Sequence, residues 1–241
     1  MRRFFIDKSS IKDNIVTIIG KEAHHIKDVI RLKMGDRFMA IDGNGKTYTL
    51  KIVMMKETIV AKIEKVTSKQ VASTRILLAS ALPKKSKIDY IIEKATELGV
   101  TDIVPMLTER VIVKVDNKSK SSKQIRWKNI IIESTKQCGR DTLPTLHKLT
   151  DLKGAIAIAQ ELGYDSKIIP YVSESVKQIK QVIEKSNKDV AIFIGPEGDF
   201  TDKEIALAEA NNIIPVSLGE LVLRVDTACI YAVSAVKILI A

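Results

Sequence analysis

Cysteine and histidine are scarce here, with two and three residues in a chain of 241. Cys138 and Cys229 suit a reducing compartment and make no disulfide framework. Cys138 and His147 are too few to hold zinc, and His24 and His25, adjacent on a helical stretch, diverge by about 100°. No metal site is expected. Long apolar runs are also missing. The longest lies in the last helix and is broken by Ser234 and Lys237, too short for a bilayer. The chain begins Met1-Arg2-Arg3 and goes straight into strand-like Phe4-Phe5-Ile6, so no signal peptide is expected and a cytoplasmic location is. Basic charge is nearly absent from the C-terminal part only. Residues 189–241 hold three Lys+Arg against eight Asp+Glu, while residues 1–72 carry a net +7 and residues 73–188 a net +8. The front of the chain thus suits a polyanionic partner such as nucleic acid. A lysine-rich surface kept for solubility gives the same balance.

The first 70 residues read as a small β-rich domain. Phe4–Ile6, Ile15–Ile19, Asp36–Ile41, Thr47–Met54 and Thr58–Val66 are strand candidates, with a short helix over Glu22–Leu32. Asp42-Gly43-Asn44-Gly45 is a hairpin signal. Gly45-Lys46-Thr47 imitates the end of a phosphate-binding loop, but Ala40 stands where that motif needs glycine, and no helix follows. Thr67–Thr74 reads as a linker.

From residue 71 the pattern changes to alternating strand and helix, which implies a parallel sheet with crossovers. Arg75–Leu82 is a buried strand. Ile88, Ile91, Ile92, Ala95 and Leu98 make one helix face, ended by Gly99. Thr101–Leu107 is the next strand. Lys114–Lys123 reads as a polar loop, followed by a helix over Gln124–Gln137, another over Leu149–Leu162, a strand at Lys167–Val172 and a helix at Ser175–Glu184.

The informative stretch is the last fifty residues. Val190–Ile194 is an apolar, β-branched strand that breaks into Gly195-Pro196-Glu197-Gly198. Thr201 and Glu204 form a capping box. Ile213–Leu218 is a second strand, ending at Gly219. Leu221–Arg224 leads to a helix with Asp226 or Thr227 as N-cap, apolar nearly all round from Ala228 to Ile240 and so expected to be buried within the chain or against a twin. Two strands end in glycine loops, and a third loop precedes a helix. Ligands of open α/β sheets bind at such strand ends.

IGPEGDF, SLGELVLR and DTA, with RRFF, HHIKDVIRLKMGD, EKATELGV and QCGR before them, resemble the RsmE family of SPOUT-class RNA methyltransferases over the whole length. The family usually has Gly where Asp199 stands and Glu where Asp226 stands. Asp tolerates left-handed backbone, whereas the shorter side chain at 226 bears on any role that needs reach. The resemblance implies an α/β SPOUT domain over 71–241 with a trefoil knot, preceded by a PUA-like β-barrel over 1–70. It implies S-adenosyl-L-methionine as cofactor, methylation of uridine N3 in 16S rRNA or the assembled small ribosomal subunit, and a homodimer. A non-catalytic RNA-binding or assembly protein, and a methylase of another RNA, are the alternatives.

The cofactor loops expected on this basis are Leu82, Ile194, Gly195, Pro196, Glu197, Gly198, Leu218, Gly219, Leu223 and Arg224. Uracil N3 keeps its proton at neutral pH, so a base or an anion-stabilising group is needed. Arg224 suits the second task. Glu197 and Asp226 are candidate bases, though the first also suits loop holding and the second helix capping. Arg3, His25, Arg31, Lys33, Arg37, Lys84, Lys85 and Arg140 are candidates for RNA contact. Each also reads as an ordinary surface group, and Arg140 as a helix C-cap.

Overall fold

The computed structural model describes residues 3–68, 74–84, 87–111, 117–173 and 176–241, and only the backbone of 117–119. The chain forms two compact units, one of residues 1–71 with 132–143, the other of 72–131 with 144–241. A single boundary in the sequence does not express the crossing at 132–143. Lys85 and part of the expected linker lie outside the described residues.

In the first unit, β1 (Arg3–Phe5), β2 (Ile11–Lys12), β3 (Ile15–Ile18), α1 (Gly20–His24), β4 (Arg37–Ile41), β5 (Lys46–Met55) and β6 (Ile59–Ser68) follow in order. The strands make one sheet, β1-β4-β5-β6-β3-β2, antiparallel except where β1 meets β4. Phe4, Val16, Phe38, Leu50, Ile59 and Ala61 share one core, so first, middle and last strands face the same interior. Irregular register between β5 and β6, at Thr49/Leu50 and Ile52/Met54, bends the sheet around it. The hairpin at 42–45 forms as expected. Asp42 accepts the amides of Asn44 and Lys46 at 2.8 and 3.2 Å, and Lys46-Thr47 opens a strand rather than a phosphate loop. The expected helix over 22–32 is shorter. It widens into a π turn over His25–Val29, with Ile30 N on His25 O at 2.9 Å, and stops at Arg31, whose φ is +59°.

The second unit contains β7 (Arg75–Ala81), α2 (Ile88–Glu97), β8 (Asp102–Leu107), α3 (Asn117–Cys138), β9 (Thr145–Leu146), β10 (Thr150–Asp151), α4 (Leu152–Glu161), β11 (Ser166–Pro170), β12 (Lys177–Gln178), β13 (Asp189–Ile194), α5 (Asp202–Ala210), β14 (Ile214–Ser217) and α6 (Val225–Leu239), with α3 continuing into the first unit. The sheet runs β10-β8-β7-β13-β11-β14-β12, with β9 on β8, and every pairing is parallel. Its central strands are apolar on both faces because helices cover both. The chain leaves β7 toward β8 but passes from β11 back to β13 and then out again to β14, so strand order reverses near the middle.

Four expectations need correction. Of the loop expected at 114–123, residues 114–116 lie outside the described residues and 117–123 are helical, in keeping with the good helix propensity of lysine. The helix expected at 149–162 starts at Leu152, because Thr150–Asp151 pair with β8 and Asp151 caps the helix at Gly154 N, 2.7 Å away. The helix expected at 175–184 is the short β12 and a single 3-10 turn, with 174–175 outside the described residues. The last helix is capped by Arg224 without a side-chain bond, not by Asp226 or Thr227, and its Tyr231 and Ile238 are 49% and 76% exposed.

The amino ends of the central strands carry a polar network. Asp102 accepts from His147 Nε2 at 2.8 Å and Tyr164 Oη at 2.7 Å. Arg75 lies over the Tyr164 ring and forks onto Asp189 at 3.0 and 2.9 Å. Burial of Asp102 would raise its pKa, but His147 and Tyr164 outweigh burial and hold it below the ordinary carboxylate range. A depressed folded-state pKa means stability present above the unfolded value and lost as pH falls through the folded one. Asp102→Ala should therefore cost about 3–5 kcal/mol at neutral pH, and urea titrations should show the gap to wild type closing only below the carboxylate range.

Candidate functional site

A cavity of about 610 Å³ opens at the carboxyl ends of β11, β13 and β14. Its size falls in the range of small-ligand sites. The wall comes from Pro170–Ser173 with Val176 and Gln178, from Ile194–Glu197 with Asp199, and from Ser217–Leu223 with Val225 and Ala228.

The loop after β13 is a tight turn, Asp199 N donating to Pro196 O at 2.9 Å. Gly195 sits in a crowded place, where a Cβ would come within 3.0 Å of the Phe200 ring, so a larger residue would need that ring to shift. Asp199 takes a left-handed φ of +59°, as its side chain allows. Its carboxylate accepts Phe200 N at 2.8 Å and Val172 N at 3.3 Å, tying the loop to the end of β11. Arg110 clamps the other side, donating through Nη1 to Gly198 O at 2.7 Å and Phe200 O at 3.3 Å. Glu204 of the expected capping box is buried and also accepts Glu109 N at 3.0 Å. Gly219, at φ +127°, makes the turn after β14.

Of the expected cofactor residues, Ile194, Gly195, Pro196, Glu197, Leu218, Gly219 and Leu223 line this cavity. Leu82 does not; it is buried under the end of β7, with its amide on Met106 O at 3.0 Å. Gly198 faces Arg110 instead. Arg224 is exposed and stands between two wall residues, Leu223 and Val225. Glu197 accepts Lys84 N at 2.9 Å through Oε1. Asp226 is bound to Lys87, 2.9 Å from each carboxylate oxygen. Cys229 is no nucleophile, since burial pushes its thiol up to about 12. The loop after β11 was not expected in the site, because the sequence reads as a strand to Val172 and a helix from Ser175. The rule that ligands sit at strand ends, applied to β11, points to it. Arg110 carried no local signal, and the partners of Asp199 and Lys87 were not readable from the residues around them.

The RNA candidates divide. In the first unit, Arg3 is engaged with Gly139 O and Asp141, both at 2.6 Å. Arg37 forks onto Glu64 at 2.7 and 3.2 Å. His25 is half-buried, its ring edge-on to Phe4 at 5.5 Å, and Arg140 is half-buried. Arg31 and Lys33 are exposed, as is Lys84 in the second unit. Among the described residues no group of acids, cysteines and histidines forms a metal site.

The RNA methyltransferase domain family matches residues 70–237, and the RNA methyltransferase PUA domain matches 18–71. The chain belongs to the ribosomal RNA small subunit methyltransferase E family. A family member from Bacillus subtilis is 30% identical over 98% of this chain and 96% of its own length, and one from Synechocystis is 31% identical over 99% and 78%. The crystal structure of the enzyme from Neisseria gonorrhoeae bound to S-adenosylmethionine has a TM-score of 0.87 at 25% identity, covering 99% of this chain and 98% of that one. A Legionella pneumophila methyltransferase with bound cofactor S-adenosylmethionine scores 0.88 at 30% identity, over 99% and 97%. Within this family fold, Arg110 is the side chain that holds the loop after β13. Arg110→Ala should speed amide exchange across 196–200 by about tenfold or more, the loss of roughly one hydrogen bond to each carbonyl, with α4 unchanged as internal control.

Proposed function

We propose that this protein transfers a methyl group from S-adenosyl-L-methionine to N3 of a uridine in small-subunit ribosomal RNA. The carrying observation is that seven of the ten cofactor residues expected from the sequence, all from the segments around the glycine loops after β13 and β14, line one cavity of cofactor size. The residues present fit the cofactor. Gly195 and Gly219 let backbone groups approach, and Ile194, Leu218, Leu223 and Val225 give apolar walls.

When bound, S-adenosylmethionine supplies a methyl group on a sulfonium centre. The chain supplies position, worth up to about 7–11 kcal/mol in well-oriented reactions, and charge. Arg224 makes no ion pair among the described residues, so its guanidinium is available for the uracil oxygens as the N3 proton leaves. Glu197 takes that proton through Oε2, because Oε1 already holds the Lys84 amide. The first unit, with exposed Arg31 and Lys33, grips RNA phosphates, whether as free rRNA or in the assembled subunit. Arg3 and Arg37 serve the fold. A paired uridine leaves its stack to be reached.

Exposed apolar side chains support a homodimer, two of them on the cavity wall and one at the far end of α6. Leu221 and Val222 are each 79% exposed, and Ile238 of α6 is 76% exposed. A second copy covers them and completes the cofactor wall. The loops at 195–199 and 218–224 then form the trefoil knot, in the cytoplasm. No helix among the described residues is long and apolar enough to cross a membrane.

Calorimetry should show S-adenosylmethionine binding that S-adenosylhomocysteine displaces. Nucleosides from the rRNA of a deletion strain, read by mass spectrometry, should lack one N3-methyluridine; an unchanged profile sinks the assignment. Arg224→Ala should lower kcat by about 100- to 1,000-fold with cofactor affinity little changed.

A further inference from the structure

A cation at a helix amino end opposes the helix dipole, yet Lys87 sits at the N-cap of α2 with no capping bond of its own. Its ammonium reaches across to Asp226, 2.9 Å from both carboxylate oxygens, in the first turn of α6. At the far ends of the same helices, Lys237 of α6 donates to Leu98 O at the C-cap of α2, 2.7 Å away. The two ties are the same number of residues apart on each helix. Thus α2 and α6 pack side by side and run in the same direction.

Parallel helices bring like ends together. Here the amino end of α6 and the Lys87 ammonium from the amino end of α2 converge on one carboxylate. Burial would raise the pKa of Asp226, but Lys87 and the amides of Asp226 and Thr227 outweigh it and keep the group below the ordinary range. A carboxylate so stabilised is a weak proton acceptor. Its partner is also close enough that the shorter side chain of aspartate suffices.

We infer that Lys87 and Asp226 form a positioning pair, which fixes the start of α6 and with it Arg224 and the wall residues Leu223 and Val225, and that Asp226 acts through Lys87 rather than on the substrate. The inference rests on the activity proposed above. Lys87 is a positioning residue; in the sequence it stands out only as one of the lysines with Lys84 and Lys85 at a helix start, a pattern that suits phosphate contact, whereas in the structure its ammonium is held by Asp226. The pair holds the turn from the α2 side, as Asp199 and Arg110 hold the loop after β13.

The test uses the full chain, S-adenosylmethionine, and small ribosomal subunits from a strain lacking this enzyme. Lys87→Met and Asp226→Asn should each lower kcat about tenfold, the size of effect that a misplacement of under an ångström brings. The KM for S-adenosylmethionine should stay within about threefold, and the double variant should be no worse than either single one. Lys87→Arg should recover most of the rate. Amide exchange over 223–228 should quicken about tenfold in both single variants and no further in the double. Three results overturn the pair: Asp226→Asn falling far below Lys87→Met, as loss of a proton acceptor would; rate losses that multiply in the double variant or merely follow the folded fraction; or unchanged exchange over 223–228. If wild-type protein methylates no rRNA, the activity assignment fails, and the exchange comparison alone then decides for or against the pair.

Discussion

The pairing of β7 with β13 is the constraint on which the second unit depends. Six residues of each strand lie in parallel register, from Arg75 opposite Asp189 to Ser80 opposite Ile194. Ile76–Ala81 and Val190–Ile194 are buried. Their backbone groups have no water to turn to, so the ladder must be complete. A complete parallel ladder places every carboxyl end on one edge of the sheet. Beyond that edge the backbone has no ladder partners, and glycine lets it turn sharply there.

The loops at that edge are held by side chains instead. Asp199 ties the turn after β13 to the end of β11, Arg110 holds its carbonyls from the end of β8, and Glu197 meets the amide of Lys84 beyond β7. Glu204 caps α5 and receives the amide of Glu109. Four strand ends are thus joined by polar contacts, two of them made by the wall residues Glu197 and Asp199, while Ile194, Leu218, Leu223 and Val225 give the wall its apolar part. Such a wall receives a ligand into a shape already formed, which lowers the ordering entropy lost on binding. Asp199 also shows how a residue that differs from the family pattern serves: it accepts the left-handed turn and adds two hydrogen bonds that glycine lacks.

Charge is arranged by the same economy of position. The acidic C-terminal stretch contributes Glu197, Asp199, Glu204 and Asp226 to backbone amides and to Lys87, so its negative charge is largely used inside the second unit. In the first unit, Arg3 and Arg37 are also committed to carboxylates, while Arg31 and Lys33 remain exposed beside a π turn and a left-handed backbone. Net charge therefore overstates the basic surface left for a polyanion, and the exposed members identify it better.

Much was legible from the order of residues. The strands at 75–81 and 190–194, the hairpin at 42–45, the Thr201–Glu204 box and the glycine turns at 195 and 219 follow from periodicity and backbone freedom, which are properties of a few neighbouring residues. The short strand and single turn at 177–181 in place of a helix, the helical start of α3, the return of 132–143 to the first unit, and the partners of Arg110 and Asp226 were not legible. Each depends on which strand end comes to lie beside which, and that is decided by burying the sheet between helices. The sequence by itself determined where the chain turns and which loops carry glycine. Only the tertiary structure decided that Arg224 is exposed, with no ion pair among the described residues, while Asp226 is held, because the partner that holds it lies 139 positions away along the chain.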